Sequence, residues 1–156
     1  MTKHFIIPDT QVKQGSDTRH LKWAAEYAVK HKPDVIVHLG DHWDMPSLSS
    51  YDKGSKSFEG RRYMADIEAG KKAMDVFMKP IRKAQAKQRR GHRQIWKPRM
   101  VFLMGNHEER IQRAIEKQPE LDGLMSYDDF QLERHGWEVV PFLEVAIIDG
   151  VCYSHY

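Results

Sequence analysis

The chain contains a single cysteine, Cys152, among its 156 residues. This excludes an internal disulfide and any cluster of thiolates around a metal. Cys152 lies in an apolar run near the end of the sequence, where it reads as a small buried core residue. No apolar run approaches the roughly 20 residues that a membrane-spanning helix needs. Pro8 and Asp9 interrupt the first apolar stretch at once, so the N-terminus carries no signal-peptide pattern. Internal repeats, low-complexity tracts and interdomain linkers are also missing. A chain of 156 residues suffices for one domain with a real core and is short for two. These absences predict one domain over 1–156 of a cytoplasmic protein without a membrane partner.

A further absence is local. From Lys79 to Arg99 there are nine Lys or Arg and no Asp or Glu. The whole chain carries only +3, so the remainder, with 16 of the 25 bases against all 22 acids, has a net charge of −6. A basic block on an acidic body can attract a polyanion such as nucleic acid. Trp96, beside Arg89, Arg90, Arg93, Lys97 and Arg99, would offer a face for base stacking. A solvated helix face and loop would give the same charge pattern.

What is present is an ordinary globular balance, 40% apolar and 30% charged, arranged around the stretch Val35 to Asp44. Its first half, Val-Ile-Val-His-Leu, is a short β-branched run expected of a strand buried on both faces. It turns at Gly40 and presents Asp41, His42 and Asp44. Upstream, Lys3 to Ile7 reads as a strand ended by Pro8-Asp9-Thr10-Gln11. Between these strands Leu21, Ala24, Ala25, Ala28 and Val29 recur at helical spacing, and Pro33 closes the helix. Strand, helix and strand with short connections predict a right-handed βαβ unit with parallel strands.

Met45 to Gly60 is polar and patternless, a loop leaving the Asp41 edge, where loops contact substrate. A long helix follows from Arg61 with Met64, Ile67, Met74, Phe77, Met78 and Ile81 as its apolar stripe, and Pro80 is expected to kink or split it. Arg99 to Met104 is a third buried strand running into Gly105-Asn106-His107-Glu108, then a helix with Ile111, Ala114 and Ile115 inward. Ser126 and Asp129 have the spacing of a capping box for a short helix ending at His135-Gly136. Trp137 to Val140, Leu143 to Ile148 and Val151 to Tyr153 read as strands, with Asp149-Gly150 as a hairpin turn. The last strand delivers Ser154-His155.

Asp9, Asp41, Asn106 and His155 thus each follow an apolar strand. A βαβ sheet sets strand ends side by side, at the edge where open α/β sheets bind ligands. Oxygen and imidazole groups without thiolate suit Mn, Fe, Zn or Ni. A carboxylate can bridge two such ions about 3.5–4 Å apart, which acidify a shared water and clamp the oxygens of a phosphate under attack. His107, directly after Asn106, is placed to donate a proton to the leaving oxygen.

The blocks Asp9-Thr10-Gln11, Gly40-Asp41-His42-Trp43-Asp44, Gly105-Asn106-His107-Glu108 and Ser154-His155 resemble those of the calcineurin-like metallophosphoesterases, in order and spacing across essentially the whole chain. The wording Ile7-Pro8-Asp9-Thr10-Gln11 is similar to phage and prophage members. The resemblance implies an α/β fold, a four-layer αββα sandwich of two packed mixed sheets. It implies a divalent-metal-dependent phosphoesterase hydrolysing a phosphomonoester or phosphodiester with two bound metal ions, in the host cytoplasm if the protein is phage-encoded. By the same resemblance Asp41 bridges both ions, Asp9 holds the first with Gln11 as a weak ligand, Asn106 and His155 hold the second, and His107 is the catalytic acid. His42, Asp44 and Arg110 are the accompanying candidate substrate contacts.

Two departures qualify this expectation. The family usually has Asp-x-His where this chain has Asp9-x-Gln11, and an uncharged amide oxygen binds an ion less tightly. The family also closes its site with a late Gly-His-x-His that this sequence lacks. A fragment, completion by another chain, and a degenerate site are the expectations this leaves, and with them apolar surface open to self-association or a partner. Two other readings stand beside the enzyme: a catalytically incomplete scaffold of the same fold that binds a partner chain, and a plain nucleic-acid-binding module.

Overall fold

A computed structural model describes residues 2–51 and 54–156. In chain order the elements are β1 (His4–Ile7), α1 (Arg19–His31), β2 (Val35–His38), α2 (Tyr63–Arg90), β3 (Arg99–Leu103), α3 (Arg110–Lys117), β4 (Trp137–Val140), β5 (Ala146–Ile148) and β6 (Val151–Tyr153). The first four strands form one parallel sheet in the order β1-β2-β3-β4, and the last two form an antiparallel hairpin. His4 lies opposite Val35, Val35 opposite Arg99, and Met100 opposite Trp137.

This strand order explains the layers. Each strand is added on the same side as the one before, so right-handed crossovers all fall on one face. Accordingly α1 and α2 pack together on that face. Their Leu21, Ala25, Ile67, Met74 and Phe77 meet Ile7, Ile36, Phe102 and Trp137 of the sheet. On the other face Val35, Val37, Val101 and Leu103 pack against Ile148 and Tyr153 of the hairpin. Neighbouring residues of β2 and β3 alternate between these two cores, as the pleat requires. All four residues of β2 are buried, as its β-branched run predicts. The fold is mixed α/β, with a helical layer, a parallel sheet and a hairpin. Among the described residues no helix is long and apolar enough to cross a membrane.

The structure differs from the sequence expectations in four places. Helix α2 runs unbroken over 28 residues with Pro80 inside it. Met78 and Ile81, on either side of the proline, are buried in the same core and hold both halves to one surface. The short helix after Ser126 is two 3-10 turns, Tyr127–Phe130 and Glu133–His135, with left-handed Gln131 (φ 54°) between them. Its capping box does form, Asp128 N–H donating to Ser126 Oγ at 3.1 Å and Ser126 N–H to Asp129 at 3.0 Å. The strand expected from Leu143 starts at Ala146, because Leu143 has a left-handed φ of 65°. Cys152 is exposed, not core: it is paired with Ile147 on the hairpin's outward face, and Ile147 is 68% exposed. Asp149 and Gly150, with φ of 50° and 80°, make the expected tight turn. The loop Met45 to Gly60 contains two short 3-10 turns, Pro46–Leu48 and Lys56–Phe58, and its residues 52 and 53 lie outside the described residues.

Candidate functional site

Four parallel strands direct their C-terminal ends to one edge, and the loops there are fitted to each other closely. A Cβ on Gly40 (φ 99°) would come within 2.7 Å of the Leu103 carbonyl oxygen and 2.8 Å of His155 Nδ1. One on Gly105 would come within 2.1 Å of Asp41 Oδ1. Both glycines are therefore required by contact between the loops.

Asp41 is buried and itself left-handed, with φ 49°. Its carbonyl accepts the Thr10 and Gln11 N–H groups at 3.2 and 2.9 Å, which ties the loop after β1 to the loop after β2. On its other side stands Glu108, fully buried. Glu108 Oε2 accepts the N–H groups of Asp41 and Gly105, both at 2.9 Å, and Oε1 accepts that of Trp43 at 2.9 Å. One carboxylate thereby joins the loop after β2 to the loop after β3. Burial pushes its pKa up to about 7, against the pull of those three donors.

Two further candidate ligands converge on Asp41. His155 Nε2 lies 3.6 Å from Asp41 Oδ1 and 3.1 Å from Asn106 Oδ1. Its Nδ1 bonds to the Leu39 carbonyl, which places the proton on Nδ1 and leaves an Nε2 lone pair aimed at two oxygen acceptors. Three acceptors facing one point repel each other unless a cation or a proton lies among them. The oxygen, oxygen and nitrogen donor set fits a borderline divalent ion. Among the described residues no group of three or more His, Cys, Asp or Glu side chains is arranged to hold an ion. An ion here would therefore depend on the amide of Asn106.

The other expected ligands are placed differently. Asp9 and Gln11 lie at the same edge but are exposed, and among the described residues neither side chain has a hydrogen-bond partner.

His107 is half-buried. Its N–H donates to Asp41 Oδ1 at 2.9 Å. Its ring Nδ1 is 2.8 Å from the Asp44 carbonyl and 3.1 Å from Asp44 Oδ1. Nε2 is 3.2 Å from Arg110 Nη2 and 3.8 Å from Asp41 Oδ2. Asp44, expected to meet substrate, thus orients His107 and pairs with Lys13 at 3.1 Å. Arg110 donates to the Asp44 carbonyl at 2.7 Å and remains at the site's rim.

His42 is corrected outright. It is fully buried, with Nδ1 2.7 Å from Thr10 Oγ1 and Nε2 3.0 Å from the Gly70 carbonyl, so it cannot touch substrate. His38, which the sequence reading did not single out, completes this chain. Its Nδ1 accepts the Gly40 N–H at 3.2 Å and its Nε2 faces Thr10 Oγ1 at 3.3 Å. One neutral assignment satisfies every group: His38 Nε2–H to Thr10, Thr10 O–H to His42 Nδ1, and His42 Nε2–H to Gly70. Burial holds both imidazoles neutral, moving His42 down to about 4 and His38 well below its ordinary value.

The basic block sits elsewhere. Its end at Arg99 meets the N-terminal edge of the sheet, where Arg99 N–H donates to the Asp34 carbonyl. The candidate ligands lie past the other end of β3, about 16 Å away at strand rise. Arg99 is engaged by Glu138 at 2.8 Å and Arg82 by Asp75 at 3.4 Å. Trp96 is half-buried and its Nε1–H donates to the Pro33 carbonyl at 2.8 Å, which limits it as a stacking surface.

The sequence reading also passed over Glu108 as a brace. Its signal was present: an acid three residues after a glycine can fold back onto that glycine's N–H. His38 had a signal too, a polar residue inside a run buried on both faces.

No family model matches the chain. Over 147 residues, 90% of this chain, it is 31% identical to the Gene 54 protein of Mycobacterium phage L5, and the match covers 52% of that protein. It is 35% identical over 77 residues, 49% of this chain and 29% of the relative, to the Gene 54 protein of Mycobacterium phage D29. The chain spans about half the length of the L5 relative and less of the D29 one.

Proposed function

We propose that this chain is, or forms part of, a divalent-metal-dependent phosphoesterase acting on a phosphomonoester or phosphodiester. The observation that carries the reading is the convergence of Asp41 Oδ1, Asn106 Oδ1 and His155 Nε2 at the C-terminal sheet edge, with the outer nitrogen of His155 fixed by Leu39. These three residues would hold one ion, of the Mn, Fe, Zn or Ni class. A bound ion would supply a polarised phosphate oxygen and a water acidic enough to attack at neutral pH. Asp9 and Gln11 would contribute to a second, weaker position from the exposed side of Asp41.

The chain's own residues divide the remaining work. Asp44 fixes the His107 ring so that Nε2 faces the site. His107 would give the proton from Nε2 to the departing oxygen. Arg110 would bind phosphate oxygens through its fork of donors. Its guanidinium stands 3.2 Å from His107 Nε2. Glu108 keeps Asp41 and the Asn106 loop in register. The proposed place of action is the host cytoplasm, supported by the phage origin of the relatives.

A second reading, a scaffold of this fold that binds a partner chain without turnover, is favoured by one observation: the outward hairpin face is apolar, with Val145 56% and Ile147 68% exposed. Calorimetric titration with Mn²⁺, alongside hydrolysis of an aryl phosphate ester, separates the two. Metal binding with turnover supports the enzyme. Metal binding without turnover supports the scaffold. Absence of any tight ion would sink the site assignment itself.

A further inference from the structure

A groove of about 540 Å³ opens beside the ligand cluster, and Asn106 is part of its lining. One wall is α3, contributing Arg110, Arg113 and Lys117. Residues at these spacings share one helix face. Another wall is the loop after Trp43, contributing Tyr51 and Phe58. Among the described residues no carboxylate pairs with Arg113 or Lys117. One neighbouring acid, Glu109, is held by the Tyr127 hydroxyl. Arg113 also lies over the Phe142 ring, 5.8 Å from its centroid, which leaves its charge unneutralised. Tyr51 is 91% exposed and has no part in the core.

We infer that this groove is the track for a single-stranded nucleic acid leading to the Asp41, Asn106 and His155 cluster. The inference rests on the phosphoesterase reading and names its substrate class. The three cations span seven residues of helix, about 10 Å. That is the axial rise of about three stacked nucleotides at 3.4 Å each. A small phosphomonoester needs only Arg110 at the cluster and has no use for Arg113 and Lys117 further along. An exposed tyrosine ring across a groove from a line of cations is the pairing that holds single strands, with phosphates on the cations and a base on the ring, while Phe58 is half-buried beneath Arg61. A duplex would present its bases to itself and leave Tyr51 without a partner. The reaction would be phosphodiester hydrolysis: water oxygen bonds to phosphorus and its proton passes to solvent, the bond to one strand oxygen breaks, that oxygen takes a proton from His107, and His107 regains a proton from solvent. The products are one end bearing a phosphate and one bearing a hydroxyl.

The test is fluorescence anisotropy of a labelled 12-nucleotide single strand, in EDTA so that no cleavage occurs, over a range of salt concentrations. The wild-type chain is compared with Arg113→Glu/Lys117→Glu and with Arg89→Glu/Arg90→Glu/Arg93→Glu, each checked for folding by circular dichroism. Loss of two contacts should reduce the slope of log affinity against log salt by about 1.4 in the first variant. The triple reversal at the opposite sheet edge should leave the slope in place. Tyr51→Ala should weaken binding about fivefold or more. If the triple reversal flattens the slope and the double does not, the strand lies on the far edge and the groove assignment is overturned. Metal titration and aryl ester turnover on the wild-type chain need no strand. A chain that passes those and binds no oligonucleotide overturns the groove alone. A chain that binds the strand through the groove but takes up no metal overturns the enzyme reading, and with it delivery to the cluster.

Discussion

The two halves of the ligand cluster are built differently. Asn106 and His155 meet Asp41 from positions fixed on several sides: the Leu39 carbonyl behind His155, and Glu108 behind Asp41 and Gly105. Asp9 and Gln11 approach from the exposed side with side chains unpartnered among the described residues, and the loop is held there by the Thr10 and Gln11 N–H groups on the Asp41 carbonyl. The difference follows from strand position. β2 and β3 are the inner strands of the sheet, and their ends inherit a rigid, dry surrounding. β1 is an edge strand, with Ile6 46% exposed, and its end inherits solvent. Of the two sheet positions, the strand end backed by covered strands is the preorganised one, while His155, arriving from the hairpin, is fixed by the Leu39 carbonyl.

The most drastic way to break the comparison is to remove what the halves share. Asp41→Ala should abolish tight binding at both positions, whichever half is stronger. The substitution also leaves alanine at a left-handed φ of 49°, costing about 1 kcal/mol of stability. Asp41→Asn, whose amide tolerates that conformation, should give the same loss of metal with less strain. Elemental analysis of the folded variants is the measurement, and a bound ion persisting in both would remove Asp41 from the centre of the site.

His107 separates chemistry from binding within the fixed half. Its backbone N–H contacts Asp41, while its ring is held by Asp44 and Arg110 and is no expected ligand. His107→Ala should therefore lower kcat by about 10²–10⁴-fold with little change in metal affinity. If metal is lost instead, while the rate per bound ion is kept, the ring is a ligand and the assigned roles are exchanged.

The legibility of this site in the sequence follows the same division. The parallel strands, the crossover helices and the arrival of Asp41 and Asn106 at one edge could be read from apolar periodicity and turn residues, whereas His155 reaches that edge from a separate hairpin and not from the sheet. The roles of individual neighbours could not. His42 and Asp44 sit in the same turn as Asp41, but a strongly curved loop sends successive side chains to different places. One goes into the core against Thr10 and Gly70, the other back to His107. The fold-back of Glu108 onto Gly105 had a local signal, but its bracing of the Asp41 loop did not, because those partners are backbone N–H groups 65 and 67 residues away. The unbroken course of α2 through Pro80 depended on tertiary burial that no local rule supplies. The outward turn of Cys152 depended on how little covers the hairpin.

The loop carrying Asp9 and Gln11 is anchored through Thr10, half-buried and held between His38 and His42. Acid should loosen that anchor. His38 is held neutral mainly by burial, with His42 and His155 as the nearby groups that also disfavour its charge. Below the ordinary value of 6.5 the unfolded chain takes up a proton that the folded chain refuses, so stability falls as pH falls through that value. Above it both states are neutral at this position and the contribution is flat. Urea midpoints at pH 7.5 and 5 should differ more for the wild type than for His38→Gln, which keeps a polar partner for Thr10 and cannot titrate. Equal pH sensitivity in the two proteins would place the acid-labile group elsewhere.

The smallest expected effect is the one that sharpens the comparison most, because it acts only on the weaker half. In the proposed reading Gln11 stands beside the second ion position, and it already has a left-handed φ of 42°. Histidine is among the residues that accept that conformation more readily. Gln11→His therefore adds a nitrogen donor beside Asp9 without disturbing the Thr10 and Gln11 N–H bonds to the Asp41 carbonyl, which belong to the backbone. The weaker of two calorimetric binding steps should tighten by about tenfold, or about 1.4 kcal/mol, while the stronger step at Asn106 and His155 stays where it was. Gln11→Ala is the paired control and should leave both steps nearly unchanged, since an exposed amide without partners contributes little. A tightening of the stronger step alone would show that the loop after β1 supports the Asn106 half. The two halves would then form one site with a single fixed geometry.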